Sequence, residues 1–190
     1  MAGIHTLFTC LDSIAPLSQP FNDYLIGAMQ PAEYKKGSFL LREGTVCRNV
    51  WWLRKGFVRF YYRLGQQEIS QCFISQNNMV LAISSLYQQG RSNQSIQAME
   101  DCSTWLIDYP SLEYIYRHFP EAQVIGRKTA EQYYALLEKR LHAIALRKSV
   151  DRYHYLEEHF PELLQRVPLK YLASFIDLEV HTISRMRRKR

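Results

Sequence analysis

"PLKYLASFIDLEVHTISRMRRKR", residues 168–190, sets two short apolar repeats before a run of arginine and lysine. Pro168 suits a first helical turn, and Leu172, Phe175 and Ile176 then give one apolar face. Ala173 is small where a second helix would have to cross closely. "IDLE" at 176–179 breaks the period, and "VHTISRMRRKR" resumes it with Ile183 and Met186 on one side. Two short helices with a tight turn and a small residue in the first describe a helix-turn-helix. In that motif the second helix enters the major groove and its N-terminal residues reach base edges. Those residues are Val180, His181, Thr182, Ser184 and Arg185. Arg185 is the best placed, because a guanidinium pairs with guanine O6 and N7 together. Arg187, Arg188, Lys189 and Arg190 are expected to meet phosphates. An ordinary helical hairpin with a basic tail fits the same spacing, so the rest of the sequence has to choose.

The 190 residues allow one or two domains and a real core, and 47% hydrophobic with 22% charged residues is ordinary for a globular protein. The formal charge is +6 and the pI about 9.2, which permits a polyanionic partner without requiring one. No window approaches a membrane span, and the first thirty residues lack the basic start and apolar middle of a signal peptide. A cytoplasmic protein that makes no membrane contact is expected. Cys10, Cys47, Cys72 and Cys102 are scattered with no C-x-x-C pair, so they read as reduced core thiols rather than metal ligands.

Residues 1–30 read as a short helical lead-in. From Pro31 to Asp108 the texture turns to short aromatic and β-branched runs: "SFLL", "VWWL", "FVRFYY", "EISQCFI", "SIQAM" and "STWLID". Glycines punctuate them, which argues for an all-β sandwich or roll, with "RLGQQ" as a hairpin tip. From Pro110 the period is helical. "PSLEYIYRHF" is one short helix, and "EAQVIGRKTAEQYYALLEKRLHAIALRK" runs on with no proline. Tyr134, Leu137, Leu141 and Ile144 are spaced 3, 4, 3 along it, an a/d seam. A helix packed on its own domain accounts for so short a seam. The length, roughly 40 Å at 1.5 Å per residue, favours self-pairing into a homodimer. Ser149 is the expected N-cap of the next helix, "VDRYHYLEEHF".

In this collinear order the sequence resembles the Crp/Fnr family of bacterial transcription regulators. The β region carries that family's glycine rhythm in "KKGSFLLREGT" and "VWWLRKGFVRFYYRLGQQE". The long helix follows in place, and "LAS" and "TISRMRRK" look like the family's DNA-binding end. The resemblance implies an α+β fold: an N-terminal double-stranded β-helix (jelly-roll-like) sensor, a dimerisation helix and a C-terminal helix-turn-helix. The segments would be 1–118, 119–148 and 149–190. It implies double-stranded DNA as partner and a sequence-specific regulator; a metal-dependent roll enzyme is not expected, because the roll holds no histidine. RNA polymerase and a small-molecule effector are admitted as further partners.

Departures from the family pattern bear on mechanism. Cyclic-AMP-binding members carry glycine–glutamate and then arginine–serine–alanine. In "VLAISSLYQQGRSNQSIQAM" Leu81 and Ala82 stand at the first pair and Ser92, Asn93 and Gln94 at the second, with Arg91 one residue early. A cyclic phosphate would lose its charge-assisted partner, so cyclic AMP is not expected. A ligand in the roll would meet Ser84, Ser85, Asn93, Gln94 and Ser95, with Tyr133 or Tyr134 from the long helix, a set suited to a neutral polar molecule. Only Cys10 lies near the N-terminus, where the oxygen-sensing branch holds an iron–sulfur centre, and all six histidines lie outside the roll. No cofactor and no metal are therefore expected. Asp177 stands where the family's turn usually has glycine, and aspartate tolerates the left-handed conformation better than most residues. No clear wing follows the second helix. The competing reading is a ligand-binding roll that acts through protein partners, with an idle basic tail.

Overall fold

A computed structural model describes residues 4–188. Two helices lead in, α1 (Ile4–Ile14) and α2 (Gln19–Ala28). Ser18 caps α2, its hydroxyl accepting from the Phe21 N–H, and Pro20 occupies the first turn.

Eight strands follow: β1 (Gln30–Tyr34), β2 (Phe39–Leu41), β3 (Asn49–Lys55), β4 (Phe57–Leu64), β5 (Gln67–Ser75), β6 (Asn78–Val80), β7 (Ser95–Ala98) and β8 (Cys102–Asp108). Helix α3 (Ile83–Gln88) interrupts them between β6 and β7. One antiparallel sheet has the order β1-β8-β3-β6, with Trp52 opposite Trp105 and Trp51 opposite Leu106. A second has the order β2-β7-β4-β5. Residues 50–53 and 57–61 are buried without alternation, as strands covered on both faces require. The expected hairpin tip is present: β4 and β5 are joined through Gly65 and Gln66, with Gly65 at φ 60. Gly56, between β3 and β4, has φ 109, and a Cβ there would lie 2.5 Å from Cys102 Sγ.

The helical part comprises α4 (Tyr109–His118), α5 (Pro120–Ala145), α6 (Ser149–His159), α7 (Pro161–Arg166), α8 (Leu169–Phe175) and α9 (Val180–Arg188). Asp108 caps α4 by accepting from the Ser111 N–H at 2.9 Å. Two expected starts shift by one residue. Lys148, not Ser149, is the N-cap of α6, because its carbonyl already accepts from Asp151 and Arg152. Pro168 is the N-cap of α8 rather than a residue of its first turn, its carbonyl accepting from Leu172.

The described chain forms two compact units. One holds the residues up to Arg59 together with Ile74–Gln132. In it Phe119 packs on Phe21, Tyr24 stacks on Tyr114 at 4.6 Å, and Glu121 of α5 accepts from Ser18 Oγ. The other joins two distant segments, Phe60–Phe73 and the chain from Tyr133 onward. Its core includes Phe73, Tyr153, Leu156, Phe160, Leu172, Phe175 and Ile183, with Phe175 at the centre of edge-on contacts to Phe73 (5.5 Å) and Phe160 (5.3 Å).

Candidate nucleic-acid interface

Helices α8 and α9 form the anticipated pair. Leu172, Ala173, Phe175 and Ile176 are buried, and Ile183 is the buried residue of α9. The junction is a helix C-terminal cap. Asp177 sits at φ 54, and the Leu178 N–H reaches back to the Ala173 carbonyl at 2.9 Å. That is the six-to-one bond of a Schellman motif with Asp177 in the left-handed position usually given to glycine. Glu179 immediately precedes α9, its carbonyl accepting from Thr182 and Ile183.

The turn is tied from two sides. Arg140 of α5 donates through Nε to the Phe175 carbonyl at 3.0 Å. Arg152 of α6 donates through Nη1 to the Asp177 carbonyl at 2.7 Å and to its carboxylate at 2.9 Å. Burial lowers the Arg140 pKa, against the opposing pull of Tyr62, Cys72 and Asp177. The sequence reading missed both arginines, since nothing local marks a residue near the end of α5 or one turn into α6 as the support of another helix.

On α9 the expected base-reading residues divide by face. His181, Arg185 and Arg188 are exposed and spaced 4 and 3 apart, which makes them one stripe opposite Ile183. Ser184 is half-buried beside them. Arg187 is exposed, and its guanidinium donates to the Leu164 carbonyl of α7 at 3.2 Å, so part of its donor capacity is already used. Lys189 and Arg190 lie outside the described residues.

Val180 and Thr182 each line a cleft bounded by residues of the β4–β5 hairpin. Thr182 lines an open cleft of about 610 Å³ with Tyr62, Leu64, Gln67, Arg140 and Asp177, among others. Val180 lines a smaller one of about 210 Å³ with Gln67, Glu68 and Lys170. Between hairpin and α8 the Ser174 hydroxyl donates to Ser70 Oγ at 2.8 Å and accepts from the Ser70 N–H at 3.2 Å. Sequence reasoning had no signal for this contact, which spans 104 residues.

Along α5 the expected seam is uneven. Tyr134 is 71% and Leu141 64% exposed, while Leu137 and Ile144 are half-buried. Ile144 lines the larger cleft. Tyr133 is buried with its ring edge toward Phe60 at 6.4 Å.

The roll residues expected to meet a ligand are also divided. Ser84 and Asn93 are exposed and Gln94 is half-buried, its Oε1 buried without a protein partner. Ser85 and Ser95 are buried and already engaged. Ser85 Oγ accepts from the Cys47 N–H and donates to the Gly90 carbonyl, and Ser95 Oγ accepts from the Glu43 N–H. Ala82 is fully buried at the start of α3. Arg91 is exposed, and the Ser92 hydroxyl closes on its own loop, donating to the Gln94 carbonyl at 2.8 Å. Among the described residues no three His, Cys, Asp or Glu side chains gather as metal ligands would. Nor is any described helix long and apolar enough to cross a membrane.

No curated protein sequence matches the chain. The family model for the cyclic nucleotide-binding domain matches residues 31–119. Three solved structures illustrate the likeness in fold. A protein from Eubacterium rectale assigned to the crp/fnr family of transcriptional regulators superposes with a TM-score of 0.73 at 15% identity, over 91% of this chain and 83% of its own. The c-di-GMP-responsive global regulator CLP of Xanthomonas campestris gives 0.73 at 13% identity, over 90% and 91%. FixK2 of Bradyrhizobium japonicum gives 0.71 at 14% identity, over 85% and 83%. Residues 31–119 thus match the cyclic nucleotide-binding domain family, and the described chain has the α+β fold of Crp/Fnr transcription regulators.

Proposed function

We propose that this chain is a dimeric, sequence-specific DNA-binding transcription regulator of the Crp/Fnr type, acting in the cytoplasm and not as an enzyme. In this reading residues 1–118 are the sensor, 119–148 the dimerising helix and 149–190 the DNA-binding end. The observation that carries it is the stripe of His181, Arg185 and Arg188, exposed opposite buried Ile183 on a helix entered through a tight capped turn. An idle basic tail needs no such turn and no such division of faces. Arg185, one turn into α9, is the base reader; Arg188 and Lys189 are phosphate contacts. A gel-shift with genomic DNA across a salt series tests the reading, because each phosphate contact steepens the loss of affinity with salt. Arg188→Ala should weaken all duplexes alike and reduce the salt slope by about one contact. Arg185→Ala should cost about 1–3 kcal/mol on a selected site and relax discrimination at one base pair. Binding that ignores both salt and these changes would leave the roll acting through protein partners instead.

The roll does not take cyclic AMP in this reading. A buried alanine and a serine closed on its own loop stand where a ribose-binding carboxylate and a phosphate-binding guanidinium are needed, and Arg91 is exposed. Calorimetry should show no cyclic AMP binding at micromolar concentration. An effector of another kind, neutral and polar, fits the surviving Ser84, Asn93 and Gln94 better.

A further inference from the structure

The last turn of a helix leaves carbonyls without partners, and they carry the negative end of its dipole. At the end of α8 three successive carbonyls are held by two guanidinium groups. Arg140 takes Phe175, and Arg152 takes Ile176 at 3.3 Å and Asp177 at 2.7 Å. Arg152 does more than cap. Its Nε donates at 2.7 Å to the carbonyl of Leu146, the first residue beyond α5. Its side chain is 16% exposed, against 79% for Asp177, so it is sequestered while its carboxylate partner is wet. One planar group thus bonds the exit of the long helix on one edge and the turn before α9 on the other. A guanidinium can do this because its donors point in fixed, divergent directions; an ammonium is a single point charge.

We infer that Arg152 is a positioning residue that locks the α8–α9 turn to the end of α5, so that the separation of the two base-reading helices in a dimer is set at the dimer helix. The inference rests on the proposed function, since it assigns a role within dimeric DNA reading. Arg152 touches no base in this scheme. Its loss leaves the preferred half-site and the phosphate contacts in place and removes only the fixed spacing between half-sites.

The test is selection from a randomised duplex library by the full chain, as parent, Arg152→Lys and Arg152→Gln. The parent should enrich paired half-sites at one separation, about one helical turn or roughly 34 Å. Both variants should enrich the same half-site at several separations, with preference for the parental spacing reduced about tenfold. Sedimentation should be unchanged. A variant that keeps the single parental spacing overturns the inference, as does Arg152→Lys behaving like the parent, because charge alone would then suffice. A DNA-independent readout separates this failure from that of the underlying reading. Hydrogen exchange at the Leu178 amide, bonded to Ala173 in the turn, should quicken about tenfold in Arg152→Lys while α5 amides keep their protection. If that exchange does not change, the lock itself is absent. If it quickens while the parent enriches no duplex, the lock stands and its DNA-positioning role is overturned together with the proposed function.

Discussion

Asp177 carries the turn at φ 54, a conformation that costs most side chains about 1–2 kcal/mol and glycine almost nothing. Its carboxylate gains an ion pair with Arg152, but the carboxylate itself is in water, so the pair is worth about 0–1 kcal/mol. The two terms oppose each other in Asp177→Gly, so urea unfolding should detect a change of less than about 1 kcal/mol. Asp177→Val loses the pair and adds β-branched strain, and should cost about 2 kcal/mol or more by the same measurement. The expectation of a left-handed residue here came from the family resemblance, which puts a glycine at this position, together with aspartate's tolerance of that conformation. The cysteines make a second residue-scale case. Burial pushes the Cys72 thiol up to about 12, with Arg140 opposing weakly, and Cys47 and Cys102 are also buried and raised. Thiolate is the reactive form. A thiol reagent at neutral pH should therefore label half-exposed Cys10 alone, and the other three only after denaturation.

Elements were legible where the period or the punctuation is local. Six strands between Pro31 and Asp108, the hairpin tip at Gly65, the long proline-free helix and the helix pair at the C-terminal end were readable in that way, whereas β1, β6 and α3 lie outside the expected runs. What slipped by one residue, Lys148 for Ser149 and Pro168 one position outside α8, is decided by which carbonyl accepts first, and sequence carries that weakly. Packing between elements was less accessible. Gly126 sits on α5 where a Cβ would come within 2.5 Å of the Tyr116 hydroxyl and 2.8 Å of its ring, so it is a point of close approach between α4 and α5. Gly126→Ala must shift Tyr116, whose hydroxyl meets that of Tyr87, and should destabilise the protein by about 1–3 kcal/mol in chemical unfolding, despite alanine's better helix propensity. Further along α5, Tyr134 and Leu141 leave apolar surface in water, which the proposed dimer would cover. Leu137→Glu with Leu141→Glu should convert a dimer to a monomer in sedimentation at micromolar concentration; a parent already monomeric there contradicts the proposed assembly.

At the scale of the molecule, the fold of Crp/Fnr regulators was visible from the order of its parts, because a glycine-punctuated roll, a long helix and a basic helix pair each leave a one-dimensional trace. The supports of the candidate site left none. Arg140 and Arg152 act on the end of another helix, and Ser70 meets Ser174 across 104 residues, so their pairing is a product of tertiary structure. The grouping of Phe60–Phe73 with the C-terminal half has a consequence for how such a chain is made and exchanged. During synthesis the hairpin emerges long before α8 exists, and Phe73 must wait for Phe175 with its apolar face unsatisfied. Such a pairing closes late and is prone to capture by other chains until it does. By the same token the C-terminal helical end is not a cassette. A fragment from Tyr133 onward, grafted behind another sensor, would arrive without its hairpin, and should be degraded by protease faster than the parent unless residues 60–73 travel with it.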